Sequence, residues 1–271
     1  MASDSCHVIE VDLYYPENVK DVLGMGSSCF IGLVNDTTVM KYPHHPNDNA
    51  KLAALAIEAQ ILEAIGDHDR IIRLKGRTSA GLLLEYACHG SLGRYLSSHN
   101  PTIEQRIAWA TQAAEAVSLI HEKGVIHCDI SVNNLLLDAE LNIKLCDFQG
   151  RLLRSDRSVK LVGLSSENVK ASMPRVDPNH ADEKTDIFAF GTAFYQIIEG
   201  CEPFPELDSF TQEEEIEQRF VSGQFPTVRY TLITAVIHKC WRGEYNSTHE
   251  VVGDLEKLSV FNPYDTRLSR Q

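Results

Sequence analysis

The chain has 271 residues, 43% hydrophobic and 23% charged, a globular composition that excludes global disorder. A formal charge of −13, with a pI near 5.3, argues against a nucleic-acid partner and favours basic protein partners. No uncharged run approaches membrane-spanning length, and "MASDSCHVIEVD" opens without a basic segment, so an intracellular, cytoplasmic protein with no membrane partner is expected.

In chain order, "DVLGMGSSCFIGLVNDTTVMKY" supplies two β-prone runs around the turn signal Asn35-Asp36, a predicted hairpin. The prolines of "YPHHPNDNA" break it, and a helix is predicted over 49–65, with Asn or Asp as N-cap and Gly66 as the stop. "RIIRL" and "GLLLEY" read as two further strands. From Pro101 onward helical periodicity dominates: "TIEQRIAWATQAAEAVSLIHEKG" is a long amphipathic helix ending on a glycine. Short strands return in "NLLLD" and "NIKLCD" around an "AELN" turn. "DEKTDIFAFGTAFYQIIEG" reads as a buried helix and "TQEEEIEQRF" as a solvated helix face. The expected fold class is α+β in two lobes: a small β-rich one over 1–86 and a larger, mainly helical one over 87–271. The crease between them falls near Glu85 to Gly90.

The seven cysteines (Cys6, Cys29, Cys88, Cys128, Cys146, Cys201, Cys240) are odd in number and scattered, which fits free thiols in a reducing compartment rather than a disulfide framework or zinc site. Ligands favour interfaces between lobes, and polar groups gather on either side of this one. Gly24 and Gly26 in "LGMGSSCFI" let backbone amides approach an anion. On the predicted helix, Glu58 shares its face with Leu55, Ile61, Leu62 and Ile65, so its carboxylate lies in an apolar stripe and requires a cation; Lys41 is the natural counterion. "VIHCDISVNNLLLD" sets Asp129 and Asn134 in an apolar run, and Asp147 follows in "KLCDFQG". An anion cradle, a cation, oxygen ligands for Mg²⁺ and a carboxylate that orients a hydroxyl are the inventory of phosphoryl transfer.

With these residues in place the chain resembles the eukaryotic protein kinases over nearly its whole length, and divergent fungal serine/threonine kinase-like proteins in particular, which share "HCDIS"-type loops. The resemblance implies a kinase fold, ATP and Mg²⁺ as cofactors, and a protein substrate. It assigns Gly24 and Gly26 to the glycine-rich loop, Lys41 to the phosphates, and Glu58 to the lysine. Leu84 becomes the gatekeeper, the backbones of Glu85 and Ala87 hold adenine, and Ile31, Val39 and Leu136 sandwich it. Asp129 becomes the catalytic base, Asn134 and Asp147 the metal ligands, and Asp186 the anchor of the catalytic loop.

The pattern also departs from that family. Cys29 stands at the third loop glycine, Cys128 where an arginine precedes the catalytic acid, and Ser131 where a lysine is usual. Gln149 follows Asp-Phe in place of glycine, with Gly150 beside it to absorb the backbone freedom. Arg175 in "SMPR" occupies a usually acidic position, and "CWRGEYNSTHE" lacks its usual arginine partner, so both halves of a buried pair are expected to be lost together. The leading reading is a kinase acting on serine or threonine hydroxyls of a protein. The alternatives are a pseudokinase acting as a nucleotide-binding or interaction module, and a small-molecule phosphotransferase.

Overall fold

A computed structural model describes residues 14–260, so Cys6 and the opening stretch lie outside the described residues. The N-terminal part runs β1 (Asp21–Met25), β2 (Cys29–Asn35), β3 (Thr38–Pro43), α1 (Asn49–Ile65), β4 (Leu74–Arg77) and β5 (Leu82–Glu85). The rest runs β6 (Gly90–Ser91), α2 (Leu92–Ser98), α3 (Ile103–Glu122), β7 (Val125–Ile126), β8 (Leu135–Leu137), β9 (Ile143–Leu145), β10 (Arg151–Leu153) and β11 (Val159–Val162), then α4 (Glu183–Glu199), α5 (Glu213–Val221), α6 (Thr231–Trp241) and α7 (Thr248–Val260). The first five strands form one antiparallel sheet in the order β1-β2-β3-β5-β4, with α1 packed on it. The helices gather in the second part, giving the bilobal α+β fold.

Two strand expectations are corrected. The run before Asn35-Asp36 is two strands, not one, because the chain reverses at Gly26, whose N–H donates to the Cys29 carbonyl at 2.8 Å. "RIIRL" is not a sheet strand: Ile71 makes an isolated bridge to Leu145 and the Ile72 N–H donates to the Leu145 carbonyl at 2.9 Å. Its backbone is satisfied by β9 in the other lobe, so the apolar run seals the junction, and β4 starts only at Leu74.

Helix α1 spans the predicted residues. Asp48 is its N-cap, accepting from the Lys51 N–H at 3.0 Å, and Gly66, at φ 79°, ends it. Its buried face holds Leu55, Glu58, Ala59, Ile61, Leu62 and Ile65, so Glu58 does point inward, while exposed Glu63 pairs with Arg77 at 2.6 Å. Helix α2 escaped the sequence reading because seven residues are too few for periodicity to decide; a Ser91 cap starts it. In α4 the Asp182 side chain caps two N–H groups, and Phe188, Phe190 and Phe194 are fully buried, each contributing roughly 1.5–3 kcal/mol. Gly191 has no room for a Cβ, which would lie 2.6 Å from that of Cys240, so α4 and α6 pack at close range.

Candidate active site

Lys41 sits inside β3, opposite Ile31 of β2 and Leu82 of β5, and the pleat directs its side chain between sheet and helix. Its ammonium donates to Glu58 Oε2 at 2.7 Å and to Asp147 Oδ1 at 2.6 Å. The Lys41 side chain is 9% exposed, that of Glu58 0% and that of Asp147 39%. Burial alone would push the lysine down, but the two carboxylates reverse this and hold it well above its ordinary range. Burial raises the Glu58 carboxyl against the pull of Lys41, whereas at the more open Asp147 the lysine outweighs burial and holds the carboxyl low. Glu58 Oε1 is buried without a hydrogen-bond partner.

Asp147 reaches this centre through a left-handed backbone, φ 66°, one of the few such conformations an acidic residue adopts readily. The residue before Asp129, Cys128, is also left-handed at φ 63°, where a non-glycine residue is held at a cost of about 1–2 kcal/mol. Asp186 supplies the restraint. Its Oδ2 accepts from the His127 N–H at 2.7 Å and its Oδ1 from the Cys128 N–H at 2.9 Å. The same Oδ2 lies 2.9 Å from His121 Nε2, whose other ring nitrogen is 2.8 Å from Thr248 Oγ1. The loop that carries Asp129 is thus anchored on α4 through Asp186. His127, fully buried, packs edge-on to Phe148 and bonds the Cys146 carbonyl at 2.9 Å, which makes it a packing residue.

The anchored loop presents Asp129, whose carboxyl burial pushes up to about 6, with His127 and a hydrogen bond from Asn134 limiting the rise. Asn134 Nδ2 donates to both the Asp129 carbonyl and Oδ2, each at 2.8 Å. The Asn134 carbonyl accepts from the Cys146 N–H at 3.0 Å, which brings Asp147 alongside Asn134 across the β8–β9 pair. Lys41, Glu58, Asp129, Asn134 and Asp147 therefore converge on the crease from four separate segments: β3, α1, the β7–β8 loop and the turn after β9.

The residues expected to contact adenine lie on β2, β3, β5, β8 and the segment after β5. Val39 and Leu84 are register partners and buried, Ala87 is buried, and Ile31 and Leu136 pack against the same apolar cluster. The Glu85 side chain pairs with Lys144 at 3.1 Å and accepts from the Arg73 N–H, tying the connection between lobes to β9. A Cβ on Gly24 would meet nothing within 4 Å, and one on Gly26 only the Cys29 carbonyl at 3.5 Å, so among the described residues no protein packing demands these glycines.

One departure resolves differently from expectation, and a second acquires a partner the sequence did not reveal. Gly150 does not absorb backbone freedom, since neither it nor Gln149 has positive φ; a Cβ there would lie 2.1 Å from the Ile126 carbonyl, so the glycine provides room. Arg175 is not left without a partner: its Nη2 donates to Glu167 Oε2 at 2.7 Å, with the two side chains 14% and 4% exposed. Glu167 and the contact of Gln149 Nε2 with Glu58 Oε2, 3.3 Å, were missed by sequence reasoning. Neither residue lies on a periodic face, and the only local signal was an unexplained arginine eight positions beyond a glutamate. The thiol of Cys128 is pushed up to about 12, by burial first and by Asp186, and burial also raises that of Cys146, so neither is activated.

Comparison with known proteins gives the same direction as the geometry. Residues 32–251 match the family model described as protein tyrosine and serine/threonine kinase. The chain is 29% identical over 212 residues to "Serine/threonine-protein kinase PKH2" of Saccharomyces cerevisiae, covering 70% of this chain and 19% of that protein. It is 29% identical to "Putative mitogen-activated protein kinase kinase kinase 7-like" of Drosophila melanogaster, covering 58% of this chain and 42% of that one. It is 27% identical to "Tyrosine-protein kinase Srms" of Mus musculus, covering 78% and 44% respectively. The chain thus spans less than half the length of each of these relatives.

Proposed function

The chain belongs to the protein tyrosine and serine/threonine kinase family, and on that premise we propose that it transfers the γ-phosphoryl group of ATP to a serine or threonine hydroxyl of a protein substrate. The observation that carries the reading is Lys41, one ammonium within 2.7 Å of both Glu58 and Asp147. Such a cation, held on a carboxylate of α1, is positioned to neutralise phosphate oxygens once Asp147 turns away.

Asp129 accepts the proton of the substrate hydroxyl as that oxygen bonds to the γ-phosphorus and the bond to the β-phosphate oxygen breaks. With its carboxyl at about 6 it is mostly ionised at neutral pH, and Asn134 orients it. Asn134 spends its nitrogen on Asp129, which leaves its amide oxygen for a cation; with the half-open Asp147 carboxylate this is a hard-oxygen donor pair suited to Mg²⁺. When bound, Mg²⁺ supplies charge neutralisation to the phosphates. Val39, Leu84, Ala87, Ile31 and Leu136 offer adenine an apolar slot, the Glu85 and Ala87 backbones its polar contacts, and Gly24 and Gly26 room for the phosphates. The lobes are divided at 86/87. The net charge of −13 and the acidic first turn of α5, Glu213 to Glu215, support a basic protein substrate.

The test is radiolabelled phosphate transfer to basic protein substrates, followed by phosphoamino-acid analysis. Wild type transfers to serine or threonine in the presence of Mg²⁺, and Lys41→Met and Asp147→Ala each fall by about 10²–10³-fold or more. Equal transfer by all three proteins refutes the assignment. The closure of Asp147 onto Lys41 and the loss of a cation at Ser131 favour a second reading, a nucleotide-binding module without transfer. Nucleotide binding that survives while transfer is absent would select it.

A further inference from the structure

Gln149 stands where the family pattern has glycine, yet its side chain is not a passive filler. It is 8% exposed, and its Nε2 reaches Glu58 Oε2 at 3.3 Å, across 91 positions of sequence. Glu58 is fully buried, its other oxygen has no partner, and its remaining donor is Lys41. The backbone of Gln149 is fixed from the opposite side. Its N–H donates to the Asp147 carbonyl at 2.9 Å, and its carbonyl accepts from the Ser165 N–H at 2.9 Å. The Gly163 Cα backs onto it so closely that a Cβ there would lie 2.1 Å from the Gln149 carbonyl oxygen. One residue therefore touches helix α1, the metal-ligand turn and the segment following β11.

We infer that Gln149 is a positioning residue that clamps Glu58, and with it helix α1, to the Asp147 turn in the geometry required for phosphoryl transfer. Lys41 is shared between two carboxylates here and would be shared with phosphates when nucleotide binds, so Glu58 needs a donor that stays. The Gln149 amide is that donor: neutral, unable to follow the phosphates, and anchored through its own backbone. A glycine at this position leaves Glu58 dependent on a cation that has other work, and α1 free to swing outward.

The catalytic consequence rests on the proposed kinase reading; the structural clamp does not, and the experiment separates them. Amide hydrogen exchange of α1 is measured on the nucleotide-free protein for wild type, Gln149→Leu and Gln149→Glu, each also combined with Glu58→Gln. Removing one hydrogen bond to a buried carboxylate predicts about tenfold faster exchange in α1 for Gln149→Leu. Gln149→Glu, equal in shape but repelling Glu58, is expected to exchange faster still. On the Glu58→Gln background Gln149→Leu has a smaller effect, because a neutral amide oxygen accepts more weakly than a carboxylate, and Gln149→Glu recovers protection because its carboxylate can accept from the new amide. Where transfer is measurable, Gln149→Leu lowers kcat about tenfold with little change in KM for ATP, since the oriented lysine rather than nucleotide affinity is lost. Unchanged exchange in both single variants, or equal effects with and without Glu58, overturns the clamp. Absence of transfer by wild type, with the exchange pattern as stated, overturns only the kinase reading.

Discussion

Two buried carboxylates organise this molecule, and they are satisfied in opposite ways. Asp186, under the loop that carries Asp129, takes its donors from two backbone N–H groups and a histidine ring, all fixed by the fold. Glu58, across the crease, depends on a side-chain ammonium and a side-chain amide, and one of its oxygens has no partner. A carboxylate held by backbone dipoles has no alternative arrangement of similar energy, so it behaves as scaffold. A carboxylate balanced by one long cation, itself shared with Asp147, can exchange partners at small cost, as the proposed phosphoryl transfer would require.

The contrast can be broken by mutation. Asp186→Asn turns an amide N–H toward the His127 and Cys128 N–H groups and should lower stability by about 3–5 kcal/mol, read as a fall in denaturant midpoint at constant slope. A loss below 1 kcal/mol would make the anchor no more rigid than the crease. Arg175→Met leaves Glu167 buried without its cation and should cost about 3 kcal/mol, whereas Glu167→Gln with Arg175→Met should regain most of it. Additive losses in that double variant would show that the pair is not the relevant interaction. Asp48→Ala removes only the cap of α1 and should cost about 1 kcal/mol in thermal or denaturant unfolding. Glu58→Gln is the sharpest comparison: its stability should stay within about 1 kcal/mol of wild type, because Lys41 keeps Asp147 as its counter-charge and one buried carboxylate is no longer desolvated. Phosphate transfer should nonetheless fall in Glu58→Gln, so a large drop in stability there would erase the distinction from Asp186.

How much was legible in the sequence follows the range of the interactions involved. The cap and stop of α1, the inward face of Glu58 and the buried length of α4 were readable because each depends on residues a few positions apart. The grouping of Lys41, Asp129, Asn134 and Asp147 was read from their chemistry as an inventory for phosphoryl transfer, and resemblance to a family supplied the role of each. The "RIIRL" run misled because its apolar residues suit a strand, while its hydrogen-bond partner lies in the other lobe. Helix α2 was too short to show a period.

The sequence by itself determined the long helices α1, α3 and α4, the polarity of their faces, and the inventory of charged and amide side chains available to one cleft. Only the tertiary structure decided their pairing: Glu167 with Arg175, Gln149 with Glu58, and Gly150 as space beneath two carbonyls rather than freedom at a turn. The physical reason is that local periodicity fixes which way a side chain faces, whereas a buried polar group is satisfied by whichever partner the packed chain brings within about 3 Å.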